Sequence, residues 1–239
     1  MSGSLILHGA VPARMPAPPD AAPHLRLTAG GVALLVRPAG ALESSEPDAD
    51  ALESALRAHN ALLAIHAREG EVLPLGFATL VPGRQAALEL LDRRAPAFRT
   101  ALSRLAGRQE FTVEVLQRPE DTVPPGPQDG RGYLRGRAAE RRRAEAREAA
   151  LAAAFAEAEA AVAGVAGAHV AHTSPPGQPG GGRRLGLAAL VPRARLPALR
   201  ETLSRIATAA EGVALRLTGP WPPYSFAAEA MADTTEAGA

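Results

Sequence analysis

The sequence predicts an α+β protein made of two ferredoxin-like α/β modules with a long helix between them, and three observations predict it. A strand–helix–strand pattern occurs twice, in the first half and near the end, with similar residues: "LGFATLVP" (75–82) against "LGLAALVP" (185–192), and "LSRL" (102–105) against "LSRI" (203–206). Both helices run into a strand that alternates with period two. Between the copies stand a proline- and glycine-rich stretch and one long, arginine-rich helical stretch. The division this implies is an N-terminal α+β module at 1–117, a linker at 118–131, a C-terminal helix plus α+β module at 132–226, and a disordered acidic tail at 227–239.

The elements follow in order. "SLILHGAV" (4–11) and "LRLTAGGVALLVRP" (25–38) read as strands, separated by an irregular connection with five prolines at 12–23. After an acidic stretch, Asp48 or Asp50 is placed to cap a helix whose Leu52, Leu56, His59, Leu63 and His66 line one face, and Gly70 ends it. "EVLPLGFATLVP" (71–82) is apolar on both faces, which predicts a central strand. A helical region over about 83–106 turns Leu88, Leu91, Phe98, Leu102 and Leu105 inward, with a kink or a new start at Pro96. "QEFTVEVLQ" (109–117) alternates and closes the first module.

"RPEDTVPPGPQDG" (118–130) has little to bury. A helix begins near Tyr133, its front half carrying arginines and its back half a stripe of Leu151, Phe155, Ala158 and Val162, so the front is solvated and the back packs. "AHVAHT" (168–173), "RRLGLAALVP" (183–192) and "GVALRLTG" (212–219) are strands. The helix between the last two turns Leu196, Leu199, Leu203 and Ile206 inward.

Composition narrows the functional classes. The net charge is +1 and pI about 8.4, so no global field points to nucleic acid or an anionic membrane. There is no cysteine, which removes disulfides, thiolate metal sites and cysteine nucleophiles, and no 20-residue uncharged apolar run. His59 and His66, seven apart, are about 10 Å apart by helical rise, too far to share one ion. His169 and His172 point to opposite faces of a strand. "GQPGGGRR" (177–184) lacks phosphate-loop spacing, and no Gly-x-Ser-x-Gly elbow occurs. Glu140 and Glu145 can pair with neighbouring arginines along the arginine-rich helix, as on a solvated surface. No cofactor and no metal are expected.

The last motif, "TGPWPPYSF" (218–226), gathers three of the chain's eight aromatic residues among three prolines. Pro220, Pro222 and Pro223 are expected to keep it extended, while Trp221, Tyr224 and Phe226 act as anchors, stapling the C-terminal strand to its own module or meeting a partner.

With "HNALLAIHAREGEVLPLGFATLV" (59–81) and "GRGYL" (130–134), this motif resembles the GvpL/GvpF family of gas vesicle proteins over about residues 5–226. Gly76 and Ala78 stand where an arginine and a glycine are common in that family. The resemblance implies a non-enzymatic, cytoplasmic accessory protein of gas vesicle formation, with the shell protein GvpA and other accessory Gvp proteins as partners. It marks Pro74, Phe77, Tyr133, Pro220, Trp221, Pro222, Pro223, Tyr224 and Phe226 as motif or partner-binding residues. A small-ligand-binding or enzymatic protein on a ferredoxin-like scaffold is the alternative. Nucleic-acid binding through Arg135–Arg147 is a third reading, disfavoured by the low aromatic content.

Overall fold

The computed structural model describes residues 3–44, 48–118, 130–173 and 184–232. Two four-stranded antiparallel sheets with helices form an α+β architecture, divided into one unit of Met1–Glu110 with Pro220–Ala239 and another of Phe111–Gly219.

In the first unit β1 (Leu5–Pro12), β2 (Leu25–Ala29), β3 (Val32–Pro38) and β4 (Leu73–Val81) pair in the order β2-β3-β1-β4. The stretch read as one strand at 25–38 is a hairpin. Gly30 and Gly31 both have positive φ, +55° and +81°, which a two-residue turn matched to strand twist requires. A glycine pair between alternating runs is the signal that reading passed over. Helix α1 (Ala49–Glu69) is capped by Asp48, which accepts from the Ala51 N–H at 2.7 Å, and it ends at Gly70.

Helix α1 covers one sheet face, where Leu62, Leu63 and Ala67 meet Val11, Ala33 and Leu35. Val32, Leu34 and Val36 point the other way and are equally buried, under α2 (Gly83–Leu105), which packs on all four strands. The central strands are therefore apolar on both faces. One expectation changes here, and another is narrowed. Burial along α1 starts only at His59, so Leu52 and Leu56 are exposed although they share its stripe. Helix α2 also runs unbroken through Pro96, with no new start.

Strand β4 is an edge strand, not a central one. Its register against β1 jumps: Leu7 pairs with Thr79 but Gly9 with Pro74, so residues 75–78 bulge out of the ladder. Its apolar residues on both faces are divided between pairing and this bulge. Ala78 adopts φ 59° there, a left-handed conformation that suits glycine, and the Thr79 hydroxyl donates to the Gly76 carbonyl at 2.7 Å across the bulge.

Strand β5 (Arg108–Gln117) does not close the first sheet. It is an interior strand of the second, whose order with β6 (Ala168–Thr173), β7 (Arg184–Pro192) and β8 (Val213–Trp221) is β6-β7-β5-β8. Period-two alternation fixes a strand's faces but not the sheet it joins. With α3 (Gly130–Ala163) and α4 (Leu196–Ala209), the second half has the β-α-β-β-α-β order of a ferredoxin-like fold. The first sheet has the same strand order, but residues 13–24 replace the helix expected between its first two strands. The repeated sequences thus occupy unequal places, β4 at an edge and β7 inside.

The second core joins Phe111, Val113 and Val115 of β5 to Leu151, Ala154 and Ala158 of α3 and to Leu199, Leu203 and Ile206 of α4. Only the back half of α3 is buried, as its sequence predicts. The linker at 119–129 and the glycine-rich loop at 174–183 lie outside the described residues. From Pro220 the chain belongs to the first unit, so the expected boundary at 226 falls instead near 219. Of the expected tail, residues up to Ala232 lie in α5 (Tyr224–Ala232).

Replacing Ala78 by glycine removes the left-handed strain. We expect Ala78→Gly to stabilise the protein by up to about 1 kcal/mol, read as a higher urea midpoint at unchanged slope. A lower midpoint would contradict the geometry of the bulge.

Candidate functional site

Within the first unit, the sequence motifs at 74–77 and 221–226 converge on two buried polar residues, His59 and Glu110. His59, on α1, is completely buried, and Glu110, three residues into β5, is 6% exposed. Phe77, carried out of the ladder by the β4 bulge, sets its ring edge-on to His59 with centroids 5.5 Å apart. Its other neighbours are Ile6, Ala39 and Leu42. Tyr224, the first residue of α5, brings its hydroxyl within 2.6 Å of His59 Nε2.

On the other side of the ring, His59 Nδ1 lies 2.8 Å from Nδ1 of His8. That contact holds one proton. The assignment that leaves no buried N–H unpaired puts it on His8 Nδ1, so that His59 Nδ1 accepts, His59 Nε2–H donates to the Tyr224 oxygen, and His8 Nε2 is a bare acceptor. The Tyr224 O–H is then free to donate. Burial pushes that phenol up to about 12, which keeps the proton in place.

Glu110 is the second anchor. Its carboxylate accepts from the Ser225 N–H at 3.1 Å and from the Ser225 hydroxyl at 2.8 Å. A carboxylate from a distant strand thus does for α5 what a capping side chain does for a helix start. Burial raises the Glu110 carboxyl above its ordinary value, with the two Ser225 bonds opposing.

The chain between β8 and α5 is built for this docking. Pro222, Pro223 and Phe226 are buried, while Trp221 stays 46% and Tyr224 41% exposed. Strand β8 ends at Trp221; the two prolines then lead into the helix, the Pro222 carbonyl accepting from the Tyr224 N–H at 2.7 Å. Only the part before Pro222 is extended, so the expectation of an extended motif holds for half of it. Of the three rings, Tyr224 meets His59 and Phe226 is buried, both within the first unit rather than the second, while Trp221 is left half in water.

Pro74 is buried opposite Gly9 of β1, where a side chain at the glycine would strike the Leu73 carbonyl and Leu63. Tyr133 stands apart, exposed on α3 in the second unit. The site residues outside the motifs are His8 and Glu110, whose partners lie 51 and 115 positions away; Ser225 sits inside the last motif but is not singled out there.

His66 is a further buried histidine of the first unit. Neither of its ring nitrogens has a partner among the described residues, and His24 meets it edge-on at 5.5 Å. Among the described residues no group of three or more histidines and carboxylates could hold a metal ion. No helix among them is long and apolar enough to cross a membrane.

Burial lowers His8 and His66 from 6.5 to about 4, with His59, Arg37 and His24 adding to it at His8, and His24 and Arg26 at His66; burial lowers His59 too. Depressed folded values mean that the unfolded chain binds more protons. The stability from these groups is whole above pH 6.5 and is lost as pH falls toward 4, roughly 3 kcal/mol for each of the first two. Glu110, raised, acts in the opposite sense. We expect urea midpoints to fall across this window and His66→Leu to make that fall shallower; a midpoint independent of pH between 6.5 and 4 would refute the assignment.

Comparisons with known proteins agree with one another. The family model described as "Gas vesicle synthesis protein GvpL/GvpF" matches residues 19–228. The chain is 32% identical over 209 residues to Gas vesicle protein L of a Streptomyces species, covering 80% of this chain and 76% of that protein. In fold it is similar to the crystal structure of GvpF from an Anabaena species, with a TM-score of 0.64, 19% identity and coverage of 95% of this chain and 96% of that one. It is likewise similar to GvpF from Microcystis aeruginosa, with a TM-score of 0.62, 16% identity and coverage of 94% and 98%.

Proposed function

The chain belongs to the GvpL/GvpF family of gas vesicle synthesis proteins, and from that membership we propose that it is a cytoplasmic accessory protein that binds the gas vesicle shell protein GvpA, together with other accessory Gvp proteins, and helps vesicle assembly without bond-making chemistry of its own. A subunit destined for an apolar wall exposes apolar faces and strand edges that aggregate unless something covers them first.

The observation that supports this reading is the half-exposed Trp221 beside Tyr224. A large ring left in water is unfavourable for the free protein, and this one is carried on a segment pinned by Pro222, Pro223, Phe226 and the Glu110–Ser225 bonds. An aromatic held rigidly at a surface, with a free phenolic donor next to it, loses little entropy on docking and suits the centre of an interface. Phe77 packs on the His59 ring that meets Tyr224, and Phe226 is buried in the same segment; Tyr133 on α3 would be a separate contact.

The test is capture of the shell protein and of each co-encoded vesicle protein by the full chain, compared with Trp221→Ala. We expect capture of the shell protein to weaken at least about tenfold while the urea midpoint changes little. Undiminished capture by the variant would remove Trp221 from the interface, and no capture by either form would contradict shell-protein binding itself.

A further inference from the structure

We infer that copies of this chain associate head to tail, the arginine-rich front half of α3 on one copy seating against the acidic, leucine-bearing front of α1 on the next. Two exposed helical surfaces that the preceding reading leaves unused carry this.

The first is on α1. Leu52 and Leu56, four residues apart on one stripe, are 42% and 40% exposed. From residue 43 to residue 56 the sequence has five acids, Glu43, Glu46, Asp48, Asp50 and Glu53, and no basic residue. Asp48, Asp50 and Glu53 are exposed, Glu53 already pairing with Arg57 one turn on, so that, among the described residues, the unpaired acids lie at the start of the helix. The second is on α3. Residues 131–148 hold seven arginines and three glutamates, four positive charges in excess. Arg131, Arg135 and Arg142, spaced by four and seven, share one exposed helical face with Ala138, and Leu134 flanks it at 68% exposure.

Each surface supplies what the other lacks. The α1 front offers two leucines rimmed by carboxylates, and the α3 front offers a leucine rimmed by guanidiniums, which pair with carboxylates in a fixed planar geometry. Neither surface is complementary to itself: like charges would meet in a symmetric contact of α1 with α1 or α3 with α3. A second copy therefore fits in one sense only. A contact between two different faces leaves one of each unsatisfied at the ends, so association continues beyond a dimer unless a ring closes.

Sedimentation velocity of the full chain tests this. At low ionic strength we expect species larger than a dimer to grow with concentration, and to dissociate when salt screens the charges. Asp50→Ala with Glu53→Ala should remove one face, and Arg131→Ala with Arg135→Ala the other, each double variant alone weakening self-association at least tenfold. An equimolar mixture of the two retains one intact α3 face and one intact α1 face. It should form a one-to-one dimer and nothing larger. A chain monomeric at every concentration, a double variant that assembles as well as the parent, or a mixture that stays monomeric or grows past the dimer would each overturn the proposal.

Discussion

The buried carboxylate of Glu110 is the constraint on which the arrangement of the chain's end depends. An ionised carboxylate withdrawn from water is costly unless hydrogen bonds replace the water. Here the replacements come from Ser225, at the first turn of α5, which donates both its backbone N–H and its hydroxyl. Removing Ser225 leaves the buried Glu110 carboxylate without these two donors, which makes the pairing hard to exchange for another. The consequence is topological: residues that follow the last strand of the second sheet belong to the first unit, so both ends of the chain contribute to one compact body.

His59 reinforces the same docking with a different chemistry. Its ring is held from three sides, by His8, by the Phe77 edge and by the Tyr224 hydroxyl. Phe77 can reach it because β4 departs from its ladder at residues 75–78, and that bulge places Ala78 in a conformation better suited to glycine. A strained edge strand, a buried histidine pair and an aromatic–proline motif at the far end of the chain are thus one mechanical unit, which holds Trp221 at the surface.

The sequence made the α+β class, both strand–helix–strand patterns, the Asp48 cap and the half-solvated α3 legible, because each is written locally in periodicity or punctuation. What it did not disclose depends on partners far along the chain. Alternation in 109–117 announces a strand but says nothing of which sheet receives it. The apolar run at 71–82 looks central because a bulge, which hides its own residues from the ladder, cannot be seen in composition. Leu52 and Leu56 carry the inward pattern of α1 yet lie before the turn where burial begins. At the site, Phe77 and Tyr224 were marked by the family resemblance and His59 by its helical stripe, whereas Glu110 and Ser225 are ordinary polar residues until the fold brings them together.

Hydrogen exchange of the α5 backbone amides in the full chain tests most directly whether the C-terminal segment is an integral part of the first unit. If Glu110 and His59 hold it as described, the amides of Tyr224–Ala232 that are bonded within the helix exchange within about tenfold of those in β1 and β3, opening only when the unit opens. Exchange of α5 near the free-peptide rate, while β1 and β3 remain protected, would show a frayed end resting on the surface and would contradict the account.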